Sequence, residues 1–309
     1  MGIRYLKNSE IDVNAWDKCI SESFNGNIYA LSWFLDLICD TWDALVEDDY
    51  LSVMPLITRR YLGRDIIYDH GFAGELGIFS RTPINVDKTA LFIMAIPNRF
   101  RYYRIVLNKY NPLDEKETPH TSKRRFELDL IKPYYKLAGD FDPGIRQKLN
   151  LATARGMSFI KGLSPNDMIM FIIEKNIPVD KNIRINNYRL LRTIMAGLIR
   201  YNSGEICGVY NQHNDLASAG LFAFAKNNIN LLFQVTSPEQ NQDFPHLFLI
   251  DRFIEKYAET NTTLSFGIPV NPAATLPFAG FGARESTIAV ITRNDLPFYI
   301  RCFRLSRDL

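Results

Sequence analysis

One succession of strands and helices is written twice along this chain, and that repetition restricts the fold more than any single motif. In the first half, 44–46 and 51–58 are strand-like runs joined by the acidic turn Glu47-Asp48-Asp49. A third strand-like run, Ile66-Ile67-Tyr68, follows Arg64-Asp65, and then come a helical stretch at 86–96 and a strand at 102–107. The second half gives strands at 206–210, 216–225 and 229–235, a helix at 245–259 and a strand at 263–266. A meander followed by one helix and one more strand predicts a mixed sheet, because the helix is the crossover that a parallel return requires. Within 245–259, Leu247, Ile250, Ile254 and Tyr257 stand three or four apart. They form one apolar stripe that has to be buried against that sheet.

The 309 residues suit two domains of ordinary size. The turn Asp140-Phe141-Asp142-Pro143-Gly144 predicts the boundary, giving domains 1–140 and 141–309. Ahead of the first meander lie a strand at 3–6 and helical stretches, one marked by Trp33, Phe34, Leu37 and Ile38 on a single face. Ahead of the second lie a basic helix at 145–155, stopped by Gly156 where a C-cap favours glycine, a strand at 157–161, and helices at 166–174 and 187–199. Residues 110–122, polar with two prolines, read as a loop. The remaining expectations are strands at 126–130, 287–291 and 298–302, and a short helix at 273–278.

Composition excludes several classes. With 47% apolar and 23% charged residues the chain is globular rather than disordered. A net charge of +2 argues against binding driven by bulk electrostatics, and DNA is not an expected partner. The opening MGIRYLKNSE is too polar for a signal peptide, and Leu6 breaks the myristoylation pattern. The apolar run at 91–97 is too short to span a bilayer. Cys19, Cys39, Cys207 and Cys302 are scattered without a CxxC pair, which predicts reduced thiols, a cytoplasmic location and no metal site.

Three stretches, in their order, resemble the Fem family of peptidoglycan aminoacyltransferases, whose members carry two GNAT acyltransferase domains. Arg146-Gln147-Lys148-Leu149-Asn150 to Ala154-Arg155-Gly156 is similar to that family's basic helix. Ser237-Pro238 through Pro245-His246-Leu247 to Ile254 is similar to its turn into the central helix. Leu264-Ser265-Phe266-Gly267 followed by Phe278-x2-Phe281-Gly282-Ala283 is similar to its stretch after that helix. The resemblance implies two tandem GNAT-like (acyl-CoA N-acyltransferase) α/β domains, each a mixed, mostly antiparallel sheet flanked by helices. It further implies acyl or aminoacyl transfer to an amine of a cell-envelope precursor or related metabolite. The implied donor is aminoacyl-tRNA or acyl-CoA, with tRNA as a partner in the first case. The implied acceptor is a small molecule or a peptidoglycan precursor.

The departures discriminate between donors. CoA enzymes of this fold cradle the pyrophosphate on a glycine-rich loop whose N–H groups face the phosphates. In this chain the stretch is Gln240-Asn241-Gln242-Asp243-Phe244-Pro245, in which Asp243 adds a carboxylate and Pro245 removes an N–H. That favours the aminoacyl-tRNA branch. Ser265 stands where the family has Asp, and Ala279 where it has Lys, which leaves open a binding protein that keeps the fold without the chemistry.

The resemblance places the cleft where the last meander strand parts from its parallel neighbour, lined by Gln234, Thr236, Ser237, Phe266, Gly267 and Pro269, with Phe244 and Arg146 close by. Amine acylation needs a proton acceptor and an oxyanion donor. His246 and Ser237 are the candidates, and His246 reads equally as a surface histidine at a helix start. Tyr68 and His70 occupy the corresponding place in the first half, where His70 is either a ligand contact or a turn residue. Gly71-x-x-Gly74-x-x-Gly77 lacks the Lys-Ser/Thr of a phosphate loop and reads as a turning segment. Arg99, Arg101, Arg104 and Lys109 around Tyr102 and Tyr103, extended by Lys123-Arg124-Arg125, form either an anionic-ligand patch or a solvated strand face.

Overall fold

A computed structural model describes residues 2–114, 116–177, 188–267 and 275–298. The chain divides into two compact units, residues 1–123 with 287–309, and residues 124–286.

The first unit contains β1 (Ile3–Leu6), α1 (Val13–Glu22), α2 (Ser32–Ile38), β2 (Trp42–Glu47), β3 (Ser52–Tyr61), β4 (Arg64–Ile67), β5 (Phe79–Ser80), α3 (Val86–Met94) and β6 (Tyr102–Val106). Most of β13 (Arg284–Asn294), from the far end of the chain, belongs to it too. Local chemistry sets these limits. Asp12 caps α1 by accepting from the N–H groups of Asn14 and Ala15. Asp48 and Tyr50 turn the acidic hairpin in the left-handed region. The strand order is β1-β2-β3-β4-β6-β13, with β5 on β3. Every pair is antiparallel except β4–β6, which α3 makes parallel. Leu45, Met54, Leu56, Ile67, Phe92, Phe100, Ile105 and Ile291 form its core.

The second unit takes most of β7 (His120–Asp129), then α4 (Tyr134–Gly139), α5 (Pro143–Ala154), β8 (Ser158–Lys161), α6 (Pro165–Glu174), α7 (Tyr188–Arg200), β9 (Gly204–Tyr210), β10 (Leu216–Ala225), β11 (Asn228–Thr236), α8 (Pro245–Tyr257), β12 (Thr263–Ser265) and α9 (Thr275–Gly280). Its order is β8-β9-β10-β11-β12-β7, again antiparallel apart from one pair, β11–β12. The predicted stripe of α8 lies on this sheet, with Leu247, Ile250 and Ile254 buried among Phe222, Ile229 and Leu264. Phe253 stacks on Phe222 at 3.6 Å between ring centroids. Burying one such ring contributes about 1.5–3 kcal/mol.

The sheets depart from expectation at two places. Residues 110–122 are not all loop, because β7 begins at His120. The predicted cut at 140/141 falls inside the second unit, because β7 pairs with β12 through Glu127↔Ser265 and Leu128↔Leu264. The Tyr134 hydroxyl of α4 donates to Asp251 of α8 at 2.7 Å, tying that unforeseen helix to the same core. The strand expected at 287–291 is longer, as β13, and the short helix begins at Thr275. Residues 187, 273, 274 and 299–302, parts of three predicted elements, lie outside the described residues.

Candidate functional site

Each unit has one parallel strand pair, and there the strands part. In the second unit the pairing runs Asn228↔Thr263, Ile229↔Leu264 and Asn230↔Ser265. It stops there, while β11 continues to Thr236 and the chain at Gly267 turns into the left-handed region (φ +71°). Beyond Thr236 the chain winds through a 3-10 turn, Pro238–Asp243, into α8. Phe244 makes the junction in the left-handed conformation (φ 59°, ψ 38°), which costs a non-glycine residue roughly 1–2 kcal/mol. Pro245 follows in the first turn of α8, where its missing N–H matters least, and no side chain caps the helix.

Three buried polar atoms in this turn lack a hydrogen-bond partner among the described residues: Ser237 Oγ, Gln240 Oε1 and His246 Nδ1. Ser237 is wholly buried. A buried polar atom left unsatisfied costs about 1–3 kcal/mol, and three lie within this short stretch. The His246 pKa is pushed down to about 4, first by burial and then by the nearby Lys148 ammonium. Its imidazole is therefore neutral at pH 7. The residue is half-buried, with Nδ1 shielded from solvent. Lys148 lies 5.4 Å from the Phe244 ring centroid, and Arg155 Nε lies 3.4 Å from Asp243 Oδ1. Lys148 of α5 and Arg155 at its C-terminal cap thus face the turn, the second paired with the Asp243 carboxylate.

The other expected cleft residues divide between lining and support. Gln234 Nε2 donates to the His246 carbonyl at 2.9 Å, fixing the start of α8 against β11. Thr236 Oγ1 lies 3.1 Å from Ser218 Oγ. The Gly267 N–H donates to Ser265 Oγ at 3.3 Å. Phe266 does not line the opening; it stacks on Phe278 at 4.6 Å, and with Phe281 it is buried in the core. Arg146 is exposed on α5, Phe244 is half-buried, and Pro269 lies outside the described residues. Sequence reasoning missed two features. Gln240 entered only as a letter of a broken glycine loop. Arg125 was placed on either an anionic-ligand patch or a solvated face, yet it is 5% exposed, and its Nη2 donates to Glu127 Oε1 at 2.5 Å and to Ser265 Oγ at 3.4 Å. Had 120–129 been read as one strand, its alternation would have put Arg125 and Glu127 together on the opposite face from Phe126 and Leu128.

In the first unit β4 pairs with β6 only at Ile67↔Tyr103, and the chain then turns away at Tyr68-Asp69-His70. Leu76 returns to pair with Leu107. Between them lies a shallow recess of about 10 Å³, room for about one water, with Pro55, Ile57, Ile67 and Ile105 among its walls and Tyr68, Asp69, His70 and Arg104 as its polar residues. The Phe72 N–H donates to His70 Nδ1 at 3.3 Å. Burial lowers the His70 pKa to about 4, so the ring is neutral with its proton on Nε2. Burial raises the Tyr68 phenol to about 12. Asp69 Oδ2 takes Lys123 Nζ at 3.0 Å and Arg104 Nε at 3.6 Å.

The glycine segment above the recess is a packing turn. Gly74 (φ +55°) sits where a Cβ would come within 2.4 Å of the Tyr29 ring, and Gly77 (φ +84°) where one would meet Asn111. The basic residues nearby are engaged with their own chain: Arg99 over Tyr5 and Phe100, Lys109 over Tyr110, Arg124 with Glu285. Tyr102 is buried. No helix among the described residues is long and apolar enough to cross a membrane.

Solved structures share this arrangement. FemX superposes with a TM-score of 0.65 at 12% sequence identity, covering 94% of this chain and 97% of its own. L-PGS from Bacillus licheniformis gives 0.54 at 9% identity, covering 94% and 95%. A tandem GNAT protein from the clavulanic acid biosynthesis pathway gives 0.52 at 12%, covering 96% and 99%. No protein-family model and no curated protein matches the chain. The chain therefore shares the tandem GNAT-like fold, as the resemblance implied.

Proposed function

We propose that this protein is an acyl or aminoacyl transferase that acylates an amine of a cell-envelope precursor or related metabolite at the strand opening of its second unit. The observation that carries this reading is the trio of buried, unpartnered atoms Ser237 Oγ, Gln240 Oε1 and His246 Nδ1 beside an uncapped helix start. Polar atoms in that state are preorganised for a ligand carbonyl, an amine or bound water. A neutral His246 can accept the proton that the attacking amine releases, and the Ser237 hydroxyl can donate to the developing oxyanion. The amine nitrogen then bonds to the acyl carbon as the donor's ester or thioester bond breaks. Gln234, Thr236 and Gly267 shape the opening, and the cations of α5, Arg146 and Lys148 among them, meet an anionic donor.

Asp243 and Pro245 weigh against acyl-CoA and for aminoacyl-tRNA as that donor. The acceptor is a small molecule or a peptidoglycan precursor. Cys19, Cys39 and Cys207 are free thiols, which supports work in the reducing cytoplasm, where such donors are made. A second reading has one specific observation behind it. Phe266, expected in the opening, instead fills the core against Phe278, as a fold retained for binding alone would permit.

The test is transfer of a labelled aminoacyl group from a mixed pool of charged tRNA to amine acceptors by the full chain. Transfer that falls at least about tenfold in both Ser237→Ala and His246→Gln supports the reading, since such groups contribute about 10²–10⁴-fold. Saturable tRNA binding with no transfer to any amine would favour the binding protein.

A further inference from the structure

We propose that the exposed face of the helix pair α6–α7 is a docking surface for an anionic phospholipid bilayer. The face begins in the sequence of α7, YRLLRTIMAGLIR, which holds arginines and no acid. Its apolar residues Leu191, Ile194, Met195 and Leu198 are buried, which turns Arg189, Arg192 and Arg200 outward, and all three are exposed. Together with Ile199 they fall within about 100° of one another around the helix. On α6, Met168, Ile169, Phe171 and Ile172 are buried, whereas Met170 and Ile173 are 42% and 47% exposed. Those two share a stripe about 60° wide with Asn166. Arg192 Nη2 meets Asn166 Oδ1 at 3.5 Å, so the arginine stripe of α7 borders the apolar stripe of α6.

The carboxylates around the face leave the arginines unmatched. Asp167 and Glu174 of α6 stand about 80–100° round that helix from Asn166. Glu205, the first acid after α7, is engaged by Lys256 at 2.6 Å, and Glu239 takes Lys175 from the end of α6 at 3.0 Å. Among the described residues no carboxylate forms an ion pair with Arg189, Arg192 or Arg200. Cations beside exposed apolar side chains fit a lipid surface in both respects. The guanidinium groups meet lipid phosphates while Met170, Ile173 and Ile199 enter the boundary with the acyl chains. A nucleic-acid backbone satisfies the arginines but gives the apolar side chains nothing, and a purely apolar partner buries the arginines unpaired.

This surface is read by lipid binding, so it stands or falls separately from acyl transfer at the turn into α8. The experiment is co-sedimentation of the full chain with vesicles of phosphatidylcholine alone and of phosphatidylcholine mixed equally with phosphatidylglycerol. Partition onto the mixed vesicles is expected, with little onto the neutral ones and release at high salt. A basic side chain near an anionic surface contributes roughly fivefold, so Arg192→Gln should weaken partition by about that factor and the triple variant Arg189→Gln, Arg192→Gln, Arg200→Gln by about a hundredfold. Met170→Gln with Ile173→Gln should weaken it about tenfold, a loss that phosphate contacts alone would not produce. All five side chains are exposed, so the variants should melt as the parent does. Arg60→Gln, exposed in the first unit, should partition as the parent does and controls for net charge. The proposal is overturned if the mixed vesicles take up no protein, if neutral vesicles take up as much, or if either the triple arginine variant or the Met170, Ile173 variant partitions unchanged. Vesicle binding that fails while uncharged tRNA is retained through the same arginines would make the face a nucleic-acid surface instead.

Discussion

The two strand openings begin from the same topology and end with opposite chemistry. In the second unit the link from β11 to α8 is short, 237–244, Phe244 is left-handed, and three polar atoms are buried without partners among the described residues. In the first unit the link from β4 to α3 runs through 68–85, turns on Gly74 and Gly77, and leaves a recess whose Asp69 is matched to two cations. The helix that follows is capped, with the Asn85 side chain accepting from the Lys88 N–H, whereas α8 has no side-chain cap. A short link concentrates unmet polarity at the helix start, and a long one spends its length turning around a shallow recess.

The largest effect that can break this comparison is at the support of α8. Phe253→Ala removes the partner of the Phe222 stack from a fully buried position and should cost about 3–5 kcal/mol. Hydrogen exchange should show the loss across α8 and β10. An equal loss across α3 would mean that the two openings do not rest on separate cores.

Next in size is acid. Both His70 and His246 have folded pKa values near 4 against 6.5 unperturbed. Between those values the unfolded chain binds more protons than the folded one. The stabilising contribution is complete above about pH 6.5 and is lost as pH falls through 4, up to about 3 kcal/mol per histidine before allowance for partial solvent access. Denaturant melts across that window should show the fall. His246→Asn and His70→Asn should each flatten part of it, and a variant that leaves the acid limb unchanged removes its histidine from the account.

Gly74→Ala sharpens the view of the first opening, because the Cβ would lie 2.4 Å from Tyr29 on a backbone at φ +55°. A loss of about 1–3 kcal/mol is expected, read as a lower melting temperature. The smallest effect belongs to the exposed pair Arg155–Asp243. Asp243→Ala should change stability by no more than about 0.5 kcal/mol, which separates its effect on donor choice from any effect on folding.

How much of this was legible in the sequence follows from what each signal measures. Periodicity reports local burial, so the meanders and the stripe of α8 were readable, as was the fold itself through the order of elements. Which strand fills a sheet edge is a long-range matter. Nothing within 120–129 announces Ser265 as the partner of Glu127, and the two prolines of 110–122 made the strand's first residues read as loop. At the site, Ser237 and His246 could be picked out by position. That His246 Nδ1 is shielded from solvent, that Gln240 Oε1 joins it without a partner among the described residues, and that Phe266 turns into the core are outcomes of packing among residues far apart in the chain.

The account's central claim is that the turn into α8 receives an activated acyl group without a phosphate cradle. Calorimetric titration of the full chain with acetyl-CoA tests it most directly, since Asp243 and Pro245 occupy the positions where a cradle would need glycine and an open N–H. No saturable heat is the predicted result, directing the search for a donor to aminoacyl-tRNA. Saturable binding that weakens in Lys148→Gln would contradict the claim and make the protein a CoA-dependent N-acyltransferase.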